Sequence, residues 1–152
     1  MSRQLLERGY TLAESTRAMG RSLDDLTETP PAFDISVIDL HEHVRIIGVP
    51  GLLRDVDPGA FHVVVARVAN EPVATAMTFD HGADCGIFNV GTLESARRRG
   101  IATAVTNQLL QDAAARGCVT ASLQATEMAE GVYAAASFRD LGRIYEYVRQ
   151  VS

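Results

Sequence analysis

The sequence predicts an α/β (α+β) fold: a mixed, mostly antiparallel sheet flanked by helices, with the order β-β-β-α-β-α-β over residues 61–151. Three observations carry that prediction. Residues 61–68 (Phe-His-Val-Val-Val-Ala-Arg-Val) are rich in β-branched side chains, as a well-buried strand is. Ile101, Ala104, Val105, Leu109 and Ala113 recur at spacings of three and four, which lines one face of a helix. Residues 119–125 and 144–151 alternate between apolar and polar side chains, the period of a half-buried strand.

Taken in order, residues 1–33 are polar, end in the turn-forming Thr29-Pro30-Pro31, and read as an N-terminal extension ahead of a domain at 34–152. Within the extension, Leu5-Leu6-Glu7-Arg8-Gly9-Tyr10-Thr11-Leu12 is similar to the later stretch Ala135-Ala136-Ser137-Phe138-Arg139-Asp140-Leu141. Such a helix-aromatic-strand pattern fits the tail of a degenerate upstream repeat. Ile35–Ile38 reads as a strand and Leu40–Ile47 as a short helix, and Gly48-Val49-Pro50-Gly51 breaks any element. Phe61–Val68 and Val73–Phe79 flank the turn Asn70-Glu71-Pro72 and form a hairpin. After the turn Asp80–Asp84, Cys85–Val90 is a third strand. The helix from Ile101 is closed by Gly117 after Arg116. The strand at Val119–Ala125 follows, reached by a crossover expected to be right-handed and parallel. Glu127–Ser137 is a short alanine-rich helix with Glu127 in its first turn, where the helix dipole favours a carboxylate. The last strand is Ile144–Val151.

Composition narrows the chemistry. Of the 152 residues, 14 are basic, every one arginine, and 19 are acidic, for a net charge of -5. Without lysine there is no P-loop lysine and no Schiff-base amine. Two cysteines, Cys85 and Cys118, are too few for a four-cysteine zinc site or a disulfide scaffold. The acidic balance argues against nucleic acid as a partner, since phosphate neutralisation needs a basic face. No apolar run approaches the roughly 20 residues of a membrane span. Met1–Tyr10 shows no signal-peptide core, so a cytoplasmic protein with reduced cysteines is expected.

The most informative segment is Asn89-Val90-Gly91-Thr92-Leu93-Glu94-Ser95-Ala96-Arg97-Arg98-Arg99-Gly100-Ile101-Ala102-Thr103. A strand ends, a turn follows, and a helix begins at the arginine-glycine sequence. The start of a helix carries four N–H groups without internal partners and is partly positive. Glycine lets an anion approach the backbone, and the small residues Ala102 and Thr103 keep the next turn open, which together make a diphosphate cradle. Arginine adds forked donors. Three positive charges here oppose the helix dipole, and Gly100 costs about 1 kcal/mol relative to alanine inside a helix. Accepting both penalties at one turn points to a bound anion rather than to a plain solvated helix start.

Arg97-x-x-Gly100-x-Ala102 resembles the Arg/Gln-x-x-Gly-x-Gly/Ala acetyl-CoA motif of the GNAT superfamily of N-acetyltransferases. Its context agrees: it follows a strand, opens an amphipathic helix, and leads into a strand, a short helix and a terminal strand. Glu127-x-x-x-Gly131-Val132-Tyr133-x-x-x-Ser137-Phe138 resembles the family's tyrosine-bearing helix and the Gly-Phe pair that ends it, with serine in place of the glycine. The resemblance covers about residues 61–150. It implies acetyl-CoA as cosubstrate, no metal, and a small-molecule or peptide amine as acceptor. By the same resemblance, backbone groups of Val90, Gly91 and Thr92 pair with the pantetheine arm, and one of their N–H groups stabilises the oxyanion. Arg97, Arg98, Arg99, Gly100, Ile101, Ala102 and Thr103 hold the diphosphate. Tyr133 protonates the departing thiolate, a mildly uphill transfer for a phenol of pKa near 10 and a thiol near 8.5. Thr126 stands where many relatives carry a pantetheine-binding asparagine. A homodimer is a further expectation from the resemblance.

Other polar residues carry less. His41-Glu42-His43 reads as a solvated helix face, because i and i+2 side chains diverge on a helix and no second ligand pair is spaced to complete a metal site. Glu94, Glu127, His81 and His62 are the candidates for a general base acting through water, with His62 also readable as a strand histidine with a structural partner and Glu94 as a helix-entry carboxylate. Cys118 reads as a small core residue. Residues 39–60 leave room for one short helix where the family usually has two, so the acceptor pocket is short, open, or completed by residues 1–33 or a second subunit. Two readings stay open: an N-acetyltransferase, favoured by Tyr133, and a non-catalytic CoA-binding module or partner half of a tandem acetyltransferase, favoured by the reduced pocket.

Overall fold

The computed structural model describes residues 2–48, 53 and 55–149. A short helix α1 (Ser2–Glu7) leads into the long strand β1 (Tyr10–Ser22). Then come β2 (Asp34–Ile38), helix α2 (Leu40–Ile47), β3 (Phe61–Val68), β4 (Glu71–His81), β5 (Asp84–Thr92), helix α3 (Ile101–Ala115), β6 (Thr120–Ala125), helix α4 (Glu130–Ala135) and β7 (Arg139–Arg149). The strands form one seven-stranded sheet in the order β2-β3-β4-β5-β6-β1-β7. Only β5 and β6 run parallel, as expected for strands joined through a helix. From β3 onward the element order is the one expected.

Local chemistry explains most boundaries. The Asp39 side chain accepts the Glu42 N–H at 2.8 Å and caps α2. Gly48 ends that helix in the left-handed conformation, with φ 72°. The rest of the breaker expected at Gly48–Gly51 lies outside the described residues. Val63–Ala66 are buried without alternation because both faces of β3 are covered. On one face, Val64, Ala66, Ala76, Ile87 and Leu123 join the inner faces of α3 and α4 in the main core. On the other, Val63 and Met77 meet Leu40 of α2, with Phe61, Leu53 and Val56 around them.

The N-terminal segment enters this sheet. Strand β1 pairs with β6 from Arg17↔Ala125 to Ser22↔Thr120, and with β7 from Tyr10↔Arg149 to Gly20↔Arg139. A division of the chain after residue 33 therefore leaves Tyr10–Ser22 between two later strands. Leu23, Leu26 and Phe33 tack the following connector onto the main core, and Gln111 of α3 donates to the Thr29 carbonyl at 3.1 Å.

Three expectations need correction. Helix α4 is shorter than Glu127–Ser137, so the carboxylate in its first turn is Glu130, not Glu127. Strand β7 begins at Arg139 rather than Ile144; its first five residues, Arg-Asp-Leu-Gly-Arg, are exposed on the outermost strand and carry no alternation of apolar and polar side chains. His41-Glu42-His43 is not a solvated face. His41 is exposed, but Glu42 pairs with Arg67 at 2.9 Å and His43 is completely buried against the sheet.

Candidate active site

The site begins where two parallel strands part. The β5–β6 ladder runs from Asp84↔Thr120 to Ile87↔Leu123 and stops, although β5 continues to Thr92. Beyond Ile87 that edge of β5 has no strand partner, which leaves room for an extended ligand to pair with its peptide groups. On the other edge, the register with β4 shifts between Met77↔Phe88 and Thr75↔Gly91. Asn89 and Val90 thus stand opposite the single residue Ala76, and Asn89 takes φ 49°. Such a bulge re-aims the peptides around it.

After β5, Leu93 N–H returns to the Val73 carbonyl at 2.8 Å, and a 3₁₀ turn at Glu94–Ala96 tucks Ala96 into the core. Arg97 Nε donates to the Thr92 carbonyl at 3.2 Å. Arg98 has φ 61°, and Gly100 is the N-cap of α3 at φ 77°, ψ 7°. The expected cost of glycine inside a helix therefore does not arise. Gly100 precedes the helix and holds a left-handed conformation that favours glycine. The three arginines likewise precede the first helical turn. No side chain caps α3, so the N–H groups at its start are available to a ligand. A cavity of about 140 Å³ opens here, lined by Thr92, Ala96, Arg97, Arg98, Gly100, Ile101, Ala102, Thr103 and Val132. Seven of the expected ligand-binding residues meet around it. Val90 and Gly91 lie earlier on β5, and Arg99 is exposed outside the lining.

Helix α4 closes the other wall. Val132 lines the cavity, and the next residue, Tyr133, is 7% exposed and packs edge-on against Phe138, with ring centroids 5.9 Å apart. Burial pushes the Tyr133 phenol above its ordinary pKa. Ser137 adopts φ 65°, so the turn after α4 takes a glycine-like conformation with a serine in it. The first turn of α4 is tied to the last two strands of the sheet. Glu130 meets Arg17 of β1 at 3.2 Å and Arg143 of β7 at 3.7 Å, and Arg17 also pairs with Asp140. No local sequence pattern marks this ionic cluster, because Arg17 stands more than 100 residues before Glu130, Asp140 and Arg143.

On the opposite face of the sheet, α2 crosses toward the same strand. A Cβ placed on Gly91 would come within 2.9 Å of Ile47 Cγ2, so glycine is what permits the close approach of helix and strand. The four candidate bases have different surroundings. His62 Nε2 is 2.7 Å from Asp112 Oδ2 of α3, a structural tie; His81, Glu94 and Glu127 are exposed. Cys85 and Cys118 are free and buried, and burial with the nearby Asp80 carboxylate pushes the Cys85 thiol up to about 12. Among the described residues, no group of three or more His, Cys, Asp and Glu is placed to hold a metal ion, and no helix is long and apolar enough to cross a membrane.

The family model described as "Acetyltransferase (GNAT) family" matches residues 22–142. No curated protein matches the chain. Among solved structures, the fold is similar to a GCN5-related N-acetyltransferase from Kribbella flavida at 21% identity and TM-score 0.76, covering 100% of this chain and 64% of that one. It is also similar to a GCN5-related N-acetyltransferase from Sphaerobacter thermophilus at 21% identity and TM-score 0.64, covering 98% and 56%. A GCN5-related N-acetyltransferase-like protein from Streptococcus suis aligns at 21% identity and TM-score 0.69, covering 96% and 67%. The chain spans less than two thirds of the length of the first two.

Proposed function

Because the chain belongs to the GNAT acetyltransferase family, we propose that it is an acetyl-CoA-dependent N-acetyltransferase that transfers the acetyl group to a primary amine. One observation carries the reading: the unpaired edge of β5 leads straight into the uncapped start of α3, so a strand-like slot and an anion cradle are continuous. The residues fit the group. The N–H groups of Ile101–Thr103 and the guanidinium groups of Arg97 and Arg98 suit a diphosphate, and peptide groups at Val90–Thr92 suit a pantetheine arm. Arg99 adds charge from outside the cavity.

Acetyl-CoA, when bound, supplies an acetyl group activated as a thioester. The chain supplies the rest. A backbone N–H at the β5 bulge, next to Val90, donates to the carbonyl oxygen as negative charge develops there. Tyr133 holds its proton to high pH, because burial disfavours the phenolate, and gives it to the leaving sulfur. An amine of pKa near 10.4 is only about 0.04% neutral at pH 7, so attack also needs a proton acceptor. The acceptor is a small-molecule or peptide amine. Strand β1 adds to the sheet of the domain at 34–152, and a homodimer is the assembly implied by the family.

The test is thiol release from acetyl-CoA against a polyamine, an amino acid, an amino sugar and a peptide amine, alongside calorimetry with CoA. Turnover with one of them is the expected result. CoA binding without turnover on any amine overturns the enzymatic reading in favour of a binding module. Absence of CoA binding overturns the site itself.

A further inference from the structure

We propose that the outer edge of β7, at residues 145–149, docks a second domain of this same fold, carried by another chain, whose own sheet stops at its equivalent of β6. The inference concerns assembly and stands apart from the acetyl-transfer reading.

An internal two-fold relation carries it. Helices α1 (Ser2–Glu7) and α4 (Glu130–Ala135) have six residues each. Each leads to a left-handed residue, Gly9 at φ 80° or Ser137 at φ 65°, then to an aromatic, Tyr10 or Phe138, and a long strand. One constant offset links the two units: the shift that takes Ser2 to Glu130 takes Gly9 to Ser137 and Tyr10 to Phe138. The turn hydrogen bonds repeat. Gly9 N–H donates to the Leu6 carbonyl at 3.1 Å, and Ser137 N–H to the Ala134 carbonyl at 3.0 Å. The β1–β7 ladder obeys the same relation pair by pair. Thr16↔Ile144 lies at its centre. Ser15↔Tyr145 mirrors Arg17↔Arg143, Glu14↔Glu146 mirrors Ala18↔Gly142, and Leu12↔Tyr147 mirrors Met19↔Asp140. The irregularities match as well, since Ala13 and Leu141 are the residues skipped in the two strands.

The surroundings of the two units differ. The far edge of β1 pairs with β6, from Arg17↔Ala125 to Ser22↔Thr120. Under the offset that ladder falls on β7 from Tyr145 onward, where the sheet ends. Tyr133 and Phe138 of the second unit and Met19 of β1 lie in the main core. Their counterparts Leu5, Tyr10 and Tyr147 are not buried, and α1 has no buried residue at all. Leu6 and Tyr145 are 55% and 54% exposed. An open 11-residue edge without proline or lysine is a template for a further strand.

The two-fold relation specifies the missing neighbour. It is a strand antiparallel to β7, in the place of β6, from a sheet whose core takes Leu5, Tyr10 and Tyr147. The described residues form one sheet, so this second core comes from another molecule. A second copy of this chain does not offer it, because β6 there is already paired with β1; the homodimer implied by the family would use another surface. The partner is a domain without a closing helix and strand of its own. Helix α1 covers it as α4 covers this domain, with Leu5 in the place of Tyr133.

The test is Tyr145→p-benzoylphenylalanine in the full chain, expressed in the source organism and irradiated, with the crosslinked peptides sequenced. We expect a crosslink to the β6-type strand of a second acetyltransferase-fold domain. The same probe at Val37, 65% exposed on the opposite edge of the sheet, should not give it. A crosslink to a second copy or to a protein of another fold, the same crosslink from Val37, or none at all overturns the proposal. If the Tyr145 variant does not fold, Val148, 41% exposed on the same strand, takes the probe. Hydrogen exchange on the unmodified chain gives a second reading. The identified partner should slow exchange of the amides of α1 and of residues 145–149 together, by at least about tenfold; protection of only one of the two overturns the two-fold arrangement.

Discussion

Substituting Gly100 with alanine separates backbone strain from ligand binding. Gly100 sits at φ 77°, ψ 7°, with no atom within 4 Å of where a Cβ would be. The methyl group therefore meets no steric clash, and the cost is conformational. An L-residue in the left-handed region costs roughly 1–2 kcal/mol, while the stiffer unfolded chain returns about 0.4–1 kcal/mol. The net loss is about 1 kcal/mol, which lowers Tm by roughly 2–4 °C in a domain of this size. Binding loses more. The methyl group stands beside the N–H groups that open α3, so CoA affinity should fall at least about tenfold, equivalent to ~1.4 kcal/mol. Thermal unfolding without ligand reads the first effect, and calorimetry with CoA reads the second. A lowered Tm with unchanged CoA affinity would mean that glycine serves only the turn, and the diphosphate reading would fail.

Tyr133→Phe should lower turnover on the order of a hundredfold and leave CoA affinity as it was; equal turnover removes Tyr133 as the acid. Arg17→Gln releases Glu130 at the start of the tyrosine-bearing helix, and should cut kcat severalfold with KM for acetyl-CoA unchanged and partial recovery in Arg17→Lys. A Tm loss with kcat intact would assign Arg17 to stability alone. Cys85 gives a pH signature. Its thiol sits at about 12 in the fold against 9.0 ordinarily, so the unfolded chain releases this proton first. Its contribution is complete below pH 9 and is lost as pH rises toward 12, by about 1.4 kcal/mol per pH unit. Tyr133, also raised by burial, acts in the same direction at higher pH. Urea midpoints at several alkaline pH values should fall more steeply for wild type than for Cys85→Ala; identical slopes refute the assignment.

Much of the fold is legible from local pattern. The β3 strand is a continuous β-branched run because both its faces are covered. Helix α3 shows its apolar face, and Gly117, at φ 97°, marks its end. The strand-turn-helix passage into α3 is equally local, which is why most residues lining the small cavity there fall in one readable stretch of sequence. Strand β1 is the contrast. Among its 13 residues only Met19 is buried, and irregular register with β7 interrupts any period-two signal. What makes it a strand is the pair of later neighbours that hydrogen-bond to it.

By itself, the sequence determined the order of the elements from β3 onward and the identity of the arginine-glycine turn, because backbone propensity and side-chain period act over a few residues. The tertiary structure decided what distance along the chain conceals. It placed β1 between β6 and β7, set the left-handed angle at Gly100, and parted β5 from β6 beyond Ile87. It also turned His43 from an expected surface residue into a buried imidazole bound to Thr75. Each of these depends on which surfaces meet, and burial and hydrogen bonding between segments far apart in the chain are settled only when they pack together.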